Sequence, residues 1–128
     1  MFFFGCFDSQ TDFLTIENDC VGVCTAYNYS TLDNPVSILL GCSIPECPET
    51  AQTASPITHI TSDDPPFLIL HGDSDKVVPL AQSIAFNEAL QDNGVNSSLL
   101  IGAGNQHDRN IVTEHMDEIL EFFDATLR

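Results

Sequence analysis

Basic residues are what this sequence most lacks. Its 128 residues hold three Lys plus Arg (Lys76, Arg109 and Arg128) against 19 Asp plus Glu, for a formal net charge of -16. Phosphate backbones reward clustered Lys and Arg through counterion release, so the composition argues against nucleic acid as a partner. Anionic membrane surfaces are disfavoured on the same ground. No apolar run approaches the roughly 18 residues of a membrane span. Hydrophobic residues nevertheless make up 43% of the chain, which supplies the core material that disordered acidic tails lack. The acid excess reads first as a solubility device. Such a surface repels itself at low salt and tolerates high salt, where screening over roughly 10 Å or less removes the penalty. Salt-rich surroundings would suit it, and an acidic surface with no special meaning fits as well.

A metal-ligand pattern is also missing. The five cysteines are Cys6, Cys20, Cys24, Cys42 and Cys47, an odd number whose spacing does not repeat a structural zinc site. Disulfides between Cys20 and Cys24, or between Cys42 and Cys47, compete with the simpler reading of scattered buried thiols. Asp73 and Asp75 lack the remaining oxygen ligands of a calcium loop. No metal and no cofactor is expected. The opening residues 1–7 are apolar without a basic flank and too short for a secretory core, so localisation stays open.

The organisation over residues 1–128 is that of one α/β domain or part of one. A short apolar strand is predicted at residues 2–5, followed by an irregular excursion over about 14–60. Within it, Asp33-Asn34-Pro35 reads as a helix start leading to Gly41, and a second short helix is predicted over 46–54. The second half is clearer. Phe67-Leu68-Ile69-Leu70-His71 has the continuous apolar character of a strand covered on both faces, as parallel sheets require. Pro79 opens a helix that Gly94 stops, and Ser98-Leu99-Leu100-Ile101 forms the next strand. A last helix is predicted over about 110–125, with Val112, Met116, Ile119, Leu120 and Phe123 as one buried stripe. Strands alternating with helices argue for a parallel sheet, here of about three strands with flanking helices.

In open parallel sheets, polar residues just beyond the carboxyl ends of strands face the functional crevice. Asp75 follows the 67–71 strand and His107 follows the 98–101 strand. A carboxylate that accepts the ring N–H fixes a histidine tautomer and supports the imidazolium formed in proton transfer. His71, at a strand end, reads as a packed and hydrogen-bonded ring, and Asp73 as a residue that satisfies turn amides. His115 reads as a packing or boundary residue. His59 is assigned nothing.

The stretch from Pro66 through His71-Gly72-Asp73-Ser74-Asp75-Lys76-Val77-Val78-Pro79 resembles the HG-x-x-D-x-x-VP segment of α/β hydrolases. The likeness is to the esterase and lipase branch that includes hormone-sensitive-lipase-like, feruloyl or acetyl-xylan esterase-like and prolyl-oligopeptidase-like enzymes. It extends backwards, more weakly, to Phe4-Gly5 and to Leu39-Leu40-Gly41. The resemblance implies a partial α/β-hydrolase fold, with Asp75 as the acid of a catalytic triad and His107 as its general base. His71, Gly72 and Asp73 would shape the acid loop. In the family the histidine directly follows the small-residue and glycine pair, whereas Asn105-Gln106 intervene here.

A larger departure concerns the nucleophile. The family's serine sits in G-x-S-x-G, and chain order is serine, acid, histidine. These 128 residues hold no such motif; Gly41-Cys42-Ser43-Ile44-Pro45 lacks the closing glycine. The resemblance therefore implies the carboxyl-terminal part of a serine ester hydrolase, acting on a small-molecule ester only in the complete enzyme. The apolar edge at residues 2–5 would then need a partner chain or the missing amino-terminal half. An alternative is a non-catalytic scaffold or interaction module derived from a hydrolase. A flavodoxin-like binding domain shares the strand and helix rhythm but would need a glycine-rich phosphate loop that is absent.

Overall fold

A computed structural model describes residues 32, 33 and 35–127. The strand expected at 2–5, the backward extension of the resemblance at Phe4-Gly5, and Cys6, Cys20 and Cys24 lie outside the described residues. Helix α1 spans Pro35–Leu40 and ends at Gly41, whose φ of +76° is the left-handed conformation that a glycine adopts without penalty. The helix expected over 46–54 is two pieces, a 3-10 turn at Ile44–Glu46 and α2 at Pro48–Ala54. Pro48 explains the division: it lacks an N–H and suits the first position of a helix. A second 3-10 turn covers Pro56–His59. Cys42 and Cys47 are joined as a disulfide across the Ile44–Glu46 turn, which takes one of the two alternatives open for that pair.

The functional half follows its sequence pattern closely. Strand β1 (Phe67–Gly72) leads through a loop to α3 (Leu80–Asp92), and β2 (Ser97–Gly102) returns parallel to β1. Among the described residues the sheet has these two strands, where about three were expected. The apolar run at 67–70 makes a strand because continuous β-favouring side chains can be covered on both faces. On one face Ile69 packs with Phe86, Leu90 and Val95, and the rings of Phe67 and Phe86 meet edge to face at 5.6 Å. Leu90 is fully buried, a burial worth about 1.5–3 kcal/mol.

Register is what matters for the site. Phe67 pairs with Ser97, and the ladder runs level to Gly72 opposite Gly102. The two strands thus end side by side, and the loops that leave them start from adjacent points.

The carboxyl-terminal helix differs from expectation in two ways. It is broken into α4 (Asn110–Glu114) and α5 (Met116–Thr126). His115 sits at the break with non-helical φ and ψ of -110° and 28°. Its carbonyl accepts the Ile119 N–H, and its ring meets Glu118 at 3.1 Å, so the residue restarts the helix. The apolar stripe is not buried either. Val112, Met116, Leu120 and Phe123 are 42%, 43%, 57% and 49% exposed, and Ile111 is the residue of this region that enters the core. Apolar periodicity marks one face of a helix but does not supply a layer to cover it.

Candidate active site at the ends of two strands

Asp75 is placed by its own loop. Its Oδ1 accepts the backbone N–H groups of Val77 at 2.7 Å and Val78 at 2.9 Å, a turn that short acidic side chains form readily. Its side chain is 5% exposed. Burial pushes the carboxyl group up, but the amides of Val78 and Val77 and the His107 ring outweigh it and hold Asp75 below its ordinary value. Asp75 is therefore a carboxylate and can only accept hydrogen bonds.

His107 arrives from the other strand. Its Nδ1 lies 2.8 Å from Asp75 Oδ2, a distance typical of a charge-assisted hydrogen bond. Since the carboxylate cannot donate, Nδ1 carries the proton, and in the neutral ring Nε2 is left with its lone pair. The side chain is 43% exposed. The arrangement is a buried anion holding one nitrogen of a solvent-reached imidazole, which fits the other nitrogen to accept a proton and return it.

His71 supports the loop from beneath. Its Nε2 donates to the Val78 carbonyl at 2.9 Å, and its Nδ1 pairs with the Ser83 hydroxyl at 2.7 Å. Nε2 also lies 3.4 Å from Asp75 Oδ2, too long to compete with the Val78 bond. The ring is buried. It ties β1, the acid loop and the first turns of α3 together.

Gly72 and Asp73 join the two loops. A Cβ at Gly72 would overlap the Asn105 backbone carbonyl, so only glycine lets the second loop sit on the end of β1. Asp73 Oδ1 accepts the Gly104 N–H at 2.7 Å, and the Asp73 N–H donates to the Gly102 carbonyl. Asp73 thus satisfies an amide of the neighbouring strand's loop. The two residues that intervene before His107 do not carry it out of reach: Asn105 folds inward and is buried, Gln106 projects outward, and the ring still reaches Asp75.

Of the residues singled out in sequence, Asp75, His107, His71, Gly72 and Asp73 lie together. His59, which bonds the Thr53 carbonyl, and His115 belong to other neighbourhoods. Sequence reasoning missed Ser83 as the partner of His71, and it missed Asn105 and Glu114, whose 2.8 Å bond closes behind the histidine loop. Only the intervening Asn105-Gln106 pair signalled the latter. Among the described residues no group of three or more His, Cys, Asp or Glu is placed to hold a metal ion. No described helix is long and apolar enough to cross a membrane.

Comparison with known proteins places this geometry in context. The sequence model of the BD-FAE family matches residues 7–90, well over half of the chain and including Asp75. The chain is 51% identical over 47 residues to the esterase LipQ of Mycobacterium tuberculosis, covering 37% of this chain and 11% of that protein. It is 50% identical over 38 residues to the probable carboxylic ester hydrolase LipM of the same organism, covering 30% and 9%. Among solved structures, a truncated form of a carbohydrate esterase from gut microbiota superposes with a TM-score of 0.63 at 28% identity, over 72% of this chain and 34% of that one. A bifunctional GH43-CE protein of Bacteroides eggerthii gives 0.67 at 31% identity, over 74% and 13%. The chain spans about a tenth of the length of the curated relatives it matches.

Proposed function

The chain belongs to the BD-FAE family, and from that premise we propose that it carries the acid and the histidine of a serine ester hydrolase. The observation that supports this most is the 2.8 Å bond from His107 Nδ1 to the buried Asp75 carboxylate, which leaves Nε2 as the basic atom of a partly exposed ring. The order of the two residues along the chain is that of the α/β hydrolases, acid before histidine. The nucleophilic serine then precedes both, in a segment outside these 128 residues, and the complete hydrolase is the catalyst. There the serine hydroxyl attacks the ester carbonyl while Nε2 of His107 takes its proton. The proton passes to the leaving alcohol as the tetrahedral intermediate collapses to an acyl-enzyme. Water, deprotonated by the same nitrogen, releases the acid and regenerates the serine. Asp75 stabilises the imidazolium in both halves. The carbohydrate esterase among the structural neighbours makes sugar-linked esters the first natural substrates to try.

The test begins with the coding sequence immediately upstream, read for an in-frame G-x-S-x-G. The longer chain should hydrolyse p-nitrophenyl acetate and take up a fluorophosphonate at that serine. His107→Ala should lower its kcat by roughly 10⁴- to 10⁶-fold, and residues 1–128 alone should show no triad-level turnover. Rapid hydrolysis by the 128-residue chain that survives His107→Ala would overturn the proposal. So would stoichiometric labelling of one of its own serines, or unrelated sequence upstream.

A further inference from the structure

We propose that Asn105, clamped by Glu114, is the positioning residue that holds His107 in line with Asp75; the catalytic meaning of this rests on the ester-hydrolase reading above. His107 cannot be held by packing. Its side chain is 43% exposed, and Gln106, Asp108 and Arg109 beside it are exposed as well. A ring on such a loop keeps one orientation only if the backbone beneath it is fixed.

Asn105 is where that backbone is fixed. It is 5% exposed, two residues from the histidine. Its carbonyl accepts the Ser74 N–H at 3.0 Å, from the residue directly before Asp75, and its own N–H donates to the Gly102 carbonyl at 3.3 Å. Its Nδ2 donates to Glu114 Oε2 on α4 at 2.8 Å. The side chain and both backbone polar groups of this one residue thus bind the acid loop, the end of β2 and the following helix. Both strand-end glycines make room for it. A Cβ at Gly72 would strike the Asn105 carbonyl carbon at 2.5 Å, and one at Gly102 would lie 2.8 Å from Asn105 Nδ2. Asn105 and its neighbour are also the residues by which this loop departs from the hydrolase pattern. The buried amide is what lets a longer loop return its histidine to the acid.

The bond has a direction, and that makes it testable. The Asn105 amide nitrogen donates and the Glu114 carboxylate accepts. Asn105→Asp sets two carboxylates face to face and removes the bond. Adding Glu114→Gln supplies an amide donor to the new carboxylate and restores it with reversed polarity. The readout in the 128-residue chain is the tautomer of the neutral His107 ring, from its ¹⁵N shifts. The wild-type ring should be protonated on Nδ1. Asn105→Asp should shift it toward the Nε2–H form ordinary for free histidine, and the double variant should return it. In the longer protein Asn105→Asp should lower kcat by about 100-fold, the effect of roughly 1 Å of misplacement, with KM changed by less than about 2-fold. The double variant should recover most of that loss. Glu114→Ala, at an exposed position, gives the same comparison should Asn105→Asp fail to fold.

Unchanged tautomer and kcat in Asn105→Asp or Glu114→Ala, or a double variant no better than Asn105→Asp, would overturn the proposal. The tautomer is read without any ester turnover. Failure of the longer protein to hydrolyse esters would therefore leave the positioning role standing, and loss of the positioning role would leave the hydrolase reading standing.

Discussion

Replacing Gly72 by alanine probes the join between fold and site with a single methyl group. An added Cβ would meet the Asn105 carbonyl carbon at 2.5 Å and the Asn105 Cβ at 2.9 Å, where carbon atoms rest at about 3.5–4.0 Å. The obstacle is backbone rather than the flexible end of a side chain, so roughly 1 Å of displacement must be taken up by the ladder or by the Asn105 loop. Insertion of a methyl group into a packed position costs about 1–3 kcal/mol. For a chain of this length, between the smaller and larger size classes, each kcal/mol lowers the melting temperature by roughly 3–6 °C, so a fall of about 3–18 °C is expected in thermal circular dichroism. The same displacement falls on the residue two before His107, and the His107 ring should lose its Nδ1–H tautomer. Gly94→Ala is the control. Gly94 has a φ of +80° and nothing within 4 Å of an added Cβ, so it carries only the backbone penalty of about 1–2 kcal/mol and should leave the His107 ring unchanged. A Gly72→Ala protein that melts with the wild type, or that keeps the wild-type tautomer, would refute the reasoning.

Two other outcomes follow from the same structure. Asp75 is held below its ordinary value of 3.8, so the unfolded chain binds its proton more readily than the folded one. Its stabilisation is present above about pH 4 and is lost as pH falls through the lower, folded value; melting between pH 6 and pH 3 should show that slope, reduced in Asp75→Asn. Reduction of the Cys42–Cys47 disulfide should cost up to about 2 kcal/mol because the closed loop is short. Alkylation without reductant should leave these two cysteines unmodified.

Much of this architecture was legible in the chain, for identifiable reasons. An unbroken apolar run at 67–70 is a strand wherever both faces are covered, and Pro79 and Gly94 punctuate α3 because each backbone demands it. The pairing of Asp75 with His107 could be anticipated because parallel strands deliver their loops to one edge. The stripe of α5 was misjudged because amphipathic spacing reports the composition of a face and not its contacts. Leu120 and Phe123 show the difference. The bonds of His71 to Ser83 and of Asn105 to Glu114 join residues 12 and 9 positions apart, on separate elements. No local pattern encodes them, and they arise only when the ladder register sets Gly72 beside Gly102. The same holds for the disulfide, since Cys42 and Cys47 could equally have stayed apart had the Ile44–Glu46 turn not closed.

The most direct test of the acid and histidine pair is the ring ¹⁵N spectrum of His107 in the neutral form, recorded for the wild type and for Asp75→Ala. The wild-type ring should carry its proton on Nδ1 and should revert to the Nε2–H form when the carboxylate is removed. A wild-type ring already protonated on Nε2, or a tautomer indifferent to Asp75, would contradict the account.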